Sequence, residues 1–335
     1  MIKHLLLLSL AAMPAAAESL NVLLYHHIAD ETPSVTSTRV EMFRAQLDHF
    51  ENQGYQIVDL EQAVKQVLSG KKLAKKSLAL TFDDGFSSVC DIAYPELKKR
   101  NLPFTVFVST TPVDKGYQGY CSWEQLKEMS ENGATIANHT LDHAHLVAKA
   151  NSDESWLSDA QNNINSAQKR IEEKIGHAPM MFAYPYGEYN TELKKWLDSQ
   201  GYISFGQQSG SIGMHSDWQA LPRFNTAGNY SSITSMRHKL NSLPLPLNYA
   251  ALPDPQTTDK RPVLDVTLLP SREAYYPHLQ CYLNGQHIEV DWKSDKEFSV
   301  KPATPLSKGR HRVNCTAPHR NGTPYFWLSQ QWLVE

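Results

Sequence analysis

Ser77-Leu78-Ala79-Leu80-Thr81-Phe82-Asp83-Asp84-Gly85 is the stretch on which the reading of this chain turns. The apolar run from Ser77 to Phe82 predicts a buried strand, and it ends in two adjacent carboxylates and a glycine. Paired acids at a strand end are costly unless a cation lies beside them. About 55 residues later comes Asn138-His139-Thr140-Leu141-Asp142-His143, two histidines at H-x3-H spacing. One carboxylate and two imidazoles make a three-ligand metal set with a position open for water, the layout of a catalytic site. The other carboxylate is then free to act as base.

Outward from that strand, apolar runs alternate with amphipathic stretches. Leu20 to Tyr25, Ile57-Val58, Pro103 to Thr110, Thr135 to Asn138, Phe182 to Tyr184, Tyr202 to Phe205 and Leu221 to Phe224 read as strands. Between them, Trp156, Ala160, Ile164, Ala167, Ile171 and Ile175 mark a long helix ended by Gly176, and Ser122 to Gln125 reads as a capping box. Strand–helix alternation predicts an α/β fold with a parallel sheet long enough to close into a barrel. His26, Asp83-Asp84, His139 and Tyr186-Gly187 each follow a strand, so all are expected on the C-terminal rim, where such barrels carry their chemistry.

The character changes after Ser242. Residues 243–260, with Leu243-Pro244-Leu245-Pro246-Leu247 and Pro253-Asp254-Pro255, read as a proline-rich linker. Residues 261–335 carry short alternating runs separated by turns such as Asn284-Gly285 and Asn321-Gly322, which predicts a small β-sandwich-like domain. Cys281, Trp292 and Cys315 echo the Cys-Trp-Cys core of immunoglobulin-like domains at shorter spacing.

Lys3, the run Leu5 to Ala12 and Ala15-Ala16-Ala17 fit a signal peptide over residues 1–17, too short in its apolar part to span a bilayer. The expectation is an exported protein, periplasmic or secreted, with its first and larger domain over 18–242 and no transmembrane anchor in the mature chain. The four cysteines are compatible with two disulfides in that compartment. Shared location favours Cys281 with Cys315, which leaves Cys90 with Cys121; for the latter two, free buried thiols are the alternative. A net charge of −3 predicts no bulk attraction to nucleic acid.

Thr81-Phe82-Asp83-Asp84-Gly85, His139-Thr140-Leu141-Asp142-His143 and Tyr184-Pro185-Tyr186-Gly187, in this order, resemble the first three motifs of the polysaccharide deacetylases (carbohydrate esterase family 4, NodB homology domain). The resemblance covers roughly residues 20–240 and is nearest to the poly-β-1,6-N-acetylglucosamine deacetylases. It implies a distorted (β/α)7 barrel and a divalent metal, most often zinc, held by Asp84, His139 and His143. It also implies Asp83 as base and the Tyr186 backbone N–H as an oxyanion donor. In most of the family an arginine opens the third motif and orients the base. Ala183 stands there in this chain, and Arg223, in Leu221-Pro222-Arg223-Phe224, is the candidate to hold Asp83. The family's last motif is a strand ending in the general-acid histidine. Val22-Leu23-Leu24-Tyr25-His26 resembles it, as in members with permuted motif order, so His26 is the expected acid and His238 the rival.

The implied reaction is hydrolysis of acetamide groups on an N-acetylglucosamine-containing polysaccharide. Chitin or peptidoglycan N-deacetylation and acetylxylan O-deacetylation are alternatives built on the same chemistry. A non-catalytic glycan-binding protein would have lost a ligand or the base, and none is lost here. Tyr184 and Trp218 are weak candidates for a substrate groove, and the C-terminal domain for contact with glycan or another protein.

Overall fold

The computed structural model describes residues 16–335. The expected signal peptide lies outside the described residues except for Ala16–Ala17, which pair antiparallel with Leu73–Ala74.

The first part of the chain alternates strand and helix. Its elements are β1 Ser19–Tyr25, α1 Val40–Asn52, α2 Leu60–Leu68, β2 Ser77–Asp84, α3 Tyr94–Lys99, β3 Phe104–Val108, α4 Trp123–Glu131, β4 Ala134–Asn138, α5 Trp156–Ile175, β5 Met181–Ala183, α6 Thr191–Ser199, β6 Ile203–Phe205, β7 Phe224–Asn225 and α7 Ile233–Leu240. Strands β6-β5-β4-β3-β2-β1 are neighbours in that order and all run parallel. The result is an α/β fold whose sheet curls as a half-barrel. Residues 221–225 reach both of its edges: Leu221 bridges Phe205, and Phe224 pairs with Leu23.

Side-chain alternation divides this sheet into two apolar layers. Leu78, Leu80 and Phe82 of β2 pack with Val106 and Ile136 under helices α3 and α4. Ala79, Phe107, Ala137, Ala183 and Phe205 face the other, concave side. Several of these are alanines, as a tightly curved inner face requires. Thr81 and Asp83 share the parity of Ala79, so β2 delivers Asp83 to the concave side at its last turn.

The helices follow the expected local rules. Ser122 and Gln125 form a reciprocal capping box at the start of α4. The buried stripe of α5 is Trp156, Ala160, Ile164, Ala167 and Ile171, and the helix stops at Gly176, whose φ of +92° suits a left-handed C-cap.

In the C-terminal part, β8 Gln280–Leu283, β9 Gly309–Pro318 and β10 Tyr325–Val334 form an antiparallel sheet, with β9 and β10 paired over ten residues each. A second small sheet contains Leu264–Thr267, Glu297–Val300 and Asp291–Trp292. Both contribute to one apolar cluster that includes Phe298, Val313, Leu328 and Trp332. Disulfides join Cys90 to Cys121 and Cys281 to Cys315.

Two expectations are corrected. Residues 243–260 are not a free linker: Leu245 and Leu247 are buried in the C-terminal cluster, and Leu243–Pro244 and Gln256–Thr257 pair with β10. Prolines here stop helix formation without preventing an edge pairing. Trp292 is not a core tryptophan. It lies on a two-residue edge strand and is 37% exposed, whereas Trp332 is the buried one.

Candidate active site

The carboxylate pair is set by the end of β2. Asp83 is fully buried and bonded through both oxygens to Arg223, at 2.7 Å each. Arg223, also fully buried, donates to the Thr81 hydroxyl and the Gly206 carbonyl, and its guanidinium lies over the Phe107 ring. Burial pushes the Asp83 carboxyl up, but the charge and hydrogen bonds of Arg223 more than reverse this, so it stays below the usual carboxylate range. Asp84 has a φ of +74°, which interrupts strand alternation and lets its side chain join the same rim. Gly85 follows at φ +77°, its Cα so close to Val108 that a Cβ would come within 2.9 Å of it.

His139 and His143 complete the cluster. Their Nε2 atoms lie 3.3 and 3.2 Å from Asp84 Oδ1. His139 Nδ1 lies 2.7 Å from the Ala183 carbonyl. That contact suits an Nδ1–H donor and leaves Nε2 with its lone pair, as in metal-ligating histidines. Burial brings His143 down to about 4, so it is neutral at pH 7. The intervening loop is held by local bonds: Asn138 accepts from the Thr140 N–H, Thr140 from the His143 N–H, and Asn163 of α5 from the Leu141 N–H.

Asp84, His139 and His143 place one ligand atom each within 4.8 Å of one another. Asp84 Oδ1 and His139 Nε2 are buried and have no hydrogen-bond partner. Unpartnered buried acceptors facing each other are unfavourable in an empty protein. They fit a divalent cation, and the mixed nitrogen and oxygen set suits zinc.

The Tyr184–Gly187 loop borders this cluster. Tyr186 is left-handed at φ +59°, and its ring lies edge-on to His143 and flat against His145. His26 leaves the end of β1 into the same region. Its Nδ1 is buried without a partner.

Residues 70–204 match the model of the polysaccharide deacetylase family. Over that stretch the chain is similar to a polysaccharide deacetylase domain. YxkH of Bacillus subtilis, named for the same family, is 30% identical over 185 residues, which cover 55% of this chain and 62% of that protein. The poly-β-1,6-N-acetyl-D-glucosamine N-deacetylase of Escherichia coli K12 is 24% identical over 66% of this chain and 38% of its own length. The chain thus spans under two thirds of either relative. Among solved structures, IcaB from Ammonifex degensii superposes with a TM-score of 0.58 at 25% identity, covering 67% of this chain and 97% of that one. The Streptococcus pyogenes deacetylase PplD shares the fold, with a TM-score of 0.60 at 22% identity over 68% of this chain and 99% of its own.

Within and around that stretch, several residues lie elsewhere than their sequence suggests. Tyr184 is not a groove residue: it is fully buried, and its hydroxyl donates to the Gln219 carbonyl. Trp218 is 38% exposed, but its carbonyl accepts from Ser204 ahead of the Phe205–Leu221 bridge. It therefore sits toward the N-terminal end of the parallel strands, away from the rim. His238 packs edge-on to Tyr325 in the second part of the chain and does not reach the cluster. His27 stacks on Phe86, which in turn contacts Tyr120, so an aromatic row lies beside the Asp84 turn. Sequence reasoning missed Arg310 and Glu188. Arg310 of β9 donates to the Tyr186 carbonyl at 2.7 Å, and Glu188 accepts from His145.

Proposed function

We propose that the protein is an exported, metal-dependent N-deacetylase that hydrolyses acetamide groups of a poly-N-acetylglucosamine. In this reading the curled sheet is the (β/α)7 barrel of that family and the rim is the active site. The observation that carries it is the adjacency of the buried Asp84–His139–His143 cluster, with its two unpartnered ligand atoms, to an Asp83 held ionised by Arg223. The relative named for a β-1,6-linked substrate supports the choice of polymer, and the two disulfides suit an oxidising compartment. No helix among the described residues is long and apolar enough to cross a membrane.

Asp84, His139 and His143 would hold the metal, in this reading zinc, which would supply a Lewis acid and a water of lowered pKa. Asp83 takes the proton of the attacking water. Its bidentate bond to Arg223 fixes the carboxylate and keeps it charged at neutral pH. The Tyr186 N–H donates to the oxyanion that develops on the acetyl group. His26 gives a proton to the departing sugar amine, which leaves poorly without one.

The test is acetate release from β-1,6-linked and β-1,4-linked N-acetylglucosamine oligomers by zinc-loaded protein and its Asp83→Asn variant. The expected result is release that prefers the β-1,6 series and falls by about a thousandfold or more in the variant, with zinc content unchanged. Preference for the β-1,4 series moves the substrate to chitin or peptidoglycan. Release that survives in Asp83→Asn, or none from either series, overturns the reading.

A further inference from the structure

The hairpin of β9 and β10 has two faces set by strand alternation. Val313, Cys315 and Ala317 of β9, with Phe326, Leu328 and Trp332 of β10, point into the C-terminal cluster. The intervening positions, Arg310, Arg312 and Asn314 on β9 and Trp327, Ser329, Gln331 and Leu333 on β10, form the other face. In sequence that face is mainly polar and reads as solvated. In the structure it docks on the first part of the chain. Trp327 packs edge-on against Phe224, Ser209 donates to Asn314, and Leu333 joins the cluster around Tyr184.

Two donors of this face end on consecutive carbonyls of the rim loop. The Arg310 guanidinium donates to the Tyr186 carbonyl at 2.7 Å, and the buried Gln331 amide donates to the Gly187 carbonyl at 2.7 Å. Arg310 is bound in two further ways. Its Nε lies 3.5 Å from Glu188 Oε1, and its guanidinium lies over the Tyr186 ring. Glu188 Oε2 in turn accepts from His145, whose ring stacks on Tyr186 at 3.8 Å. Tyr186, Glu188, His145 and Arg310 thus form one closed set of contacts around a single residue.

That residue needs holding. Tyr186 is left-handed, a conformation disfavoured for a non-glycine residue with a bulky side chain. Gly187 beside it has a φ of +72° and no room for a Cβ, which would meet the Gln207 backbone nitrogen at 2.9 Å. Inside the loop the Gly187 N–H bonds to the Tyr184 carbonyl and the Glu188 N–H to the Pro185 carbonyl. These bonds close the turn but leave the Tyr186 carbonyl to an outside donor, and the only one it has among the described contacts comes from β9.

We infer that Arg310 is a positioning residue for the Tyr186 N–H, so that the C-terminal part of the chain supplies a component of the active site. The inference rests on the deacetylase reading above. By holding the carbonyl and the ring of Tyr186 together, Arg310 fixes the torsions that aim its N–H. An oxyanion donor acts only where charge develops, so loosening it costs turnover and leaves ground-state binding nearly untouched.

The experiment compares full-length zinc-loaded wild type, Arg310→Ala and Arg310→Lys in steady-state acetate release, together with amide hydrogen exchange over residues 184–189. Arg310→Ala is expected to lose about tenfold or more in kcat with KM changed less than about twofold. Millimolar guanidinium should restore part of the loss, and Arg310→Lys should fall between the two. Exchange over 184–189 should quicken in Arg310→Ala. A kcat within about twofold of wild type, or a loss that appears in KM and melting temperature and ignores guanidinium, overturns the inference. If wild type itself releases no acetate, it is the deacetylase reading that fails. Exchange then decides alone whether Arg310 holds the loop, and an unchanged rate overturns that too.

Discussion

Arg223 and Asp83 are both withdrawn completely from solvent, and each is the other's main source of compensation. Removing one partner of such a pair leaves an uncompensated charge, at a cost of about 3–5 kcal/mol. Arg223→Met should therefore lower the stability measured by urea unfolding by that amount, as well as abolish turnover; unchanged stability would mean that Asp83 is protonated in the fold. Lys239 at the end of α7 offers a pH test away from the rim. Burial pushes it down to about 8, against about 10.4 in an unfolded chain. Below pH 8 both states carry the proton and the fold bears the full cost of burying it. Between 8 and about 10 the folded state releases the proton first and that cost fades. Lys239→Met should then be the more stable protein at pH 7, by about 1 kcal/mol after allowing for partial solvation, with the gap closing as pH rises. A gap that widens instead would reverse the assignment. At this scale only the H-x3-H pair is local in sequence; Asp84 stands far upstream of it, and what marked these residues was their type at strand ends, while Arg223 and Asp83 meet across 140 positions of chain. Tyr184 was misread because its hydroxyl finds a partner, the Gln219 carbonyl, that only the tertiary fold supplies.

At the scale of elements, alternating strands and helices were readable from period and punctuation: the α5 stripe, the Ser122 cap and the Gly176 stop all occur where the pattern sets them. The rim loops were less so, because their shape depends on torsions that no apolar period records. Gly187 shows this. Added to its positive φ, the close approach of Gln207 leaves no space for a methyl group. Gly187→Ala should destabilise by about 1–3 kcal/mol and lower kcat with little loss of bound zinc, since the ligands come from other loops. Thermal melting and metal analysis of the same sample check both halves, and a variant with normal kcat would show that the loop tolerates a different path.

For the molecule as a whole, the sequence changes character after Ser242; in the structure alternating strands and helices precede that point and antiparallel strands predominate after it. The relation between the two parts was hidden, since the docking face of β9 and β10 has the same polar alternation as a solvated sheet. The proline-rich stretch was misread for the same reason: its leucines are buried by contacts with strands some 80 residues further on. Cutting the chain after residue 242 would strip Trp327 from Phe224 and both donors from the rim loop. The fragment should melt at lower temperature than the full chain and lose at least as much kcat as Arg310→Ala. Equal melting and equal turnover would show the two parts to be independent.

Seven non-glycine residues have positive φ among the described residues, and four of them, Asp84, Thr140, His143 and Tyr186, stand on one rim. Of the three elsewhere, two are asparagines, Asn101 and Asn284, the type that tolerates this conformation best. The rim has none. A lineage drifting without selection for chemistry would be expected to relax such positions toward glycine or asparagine, gaining stability at each step. Backbone strain among the described residues is thus gathered where the chemistry is proposed, and relaxing it would be expected to exchange activity for stability.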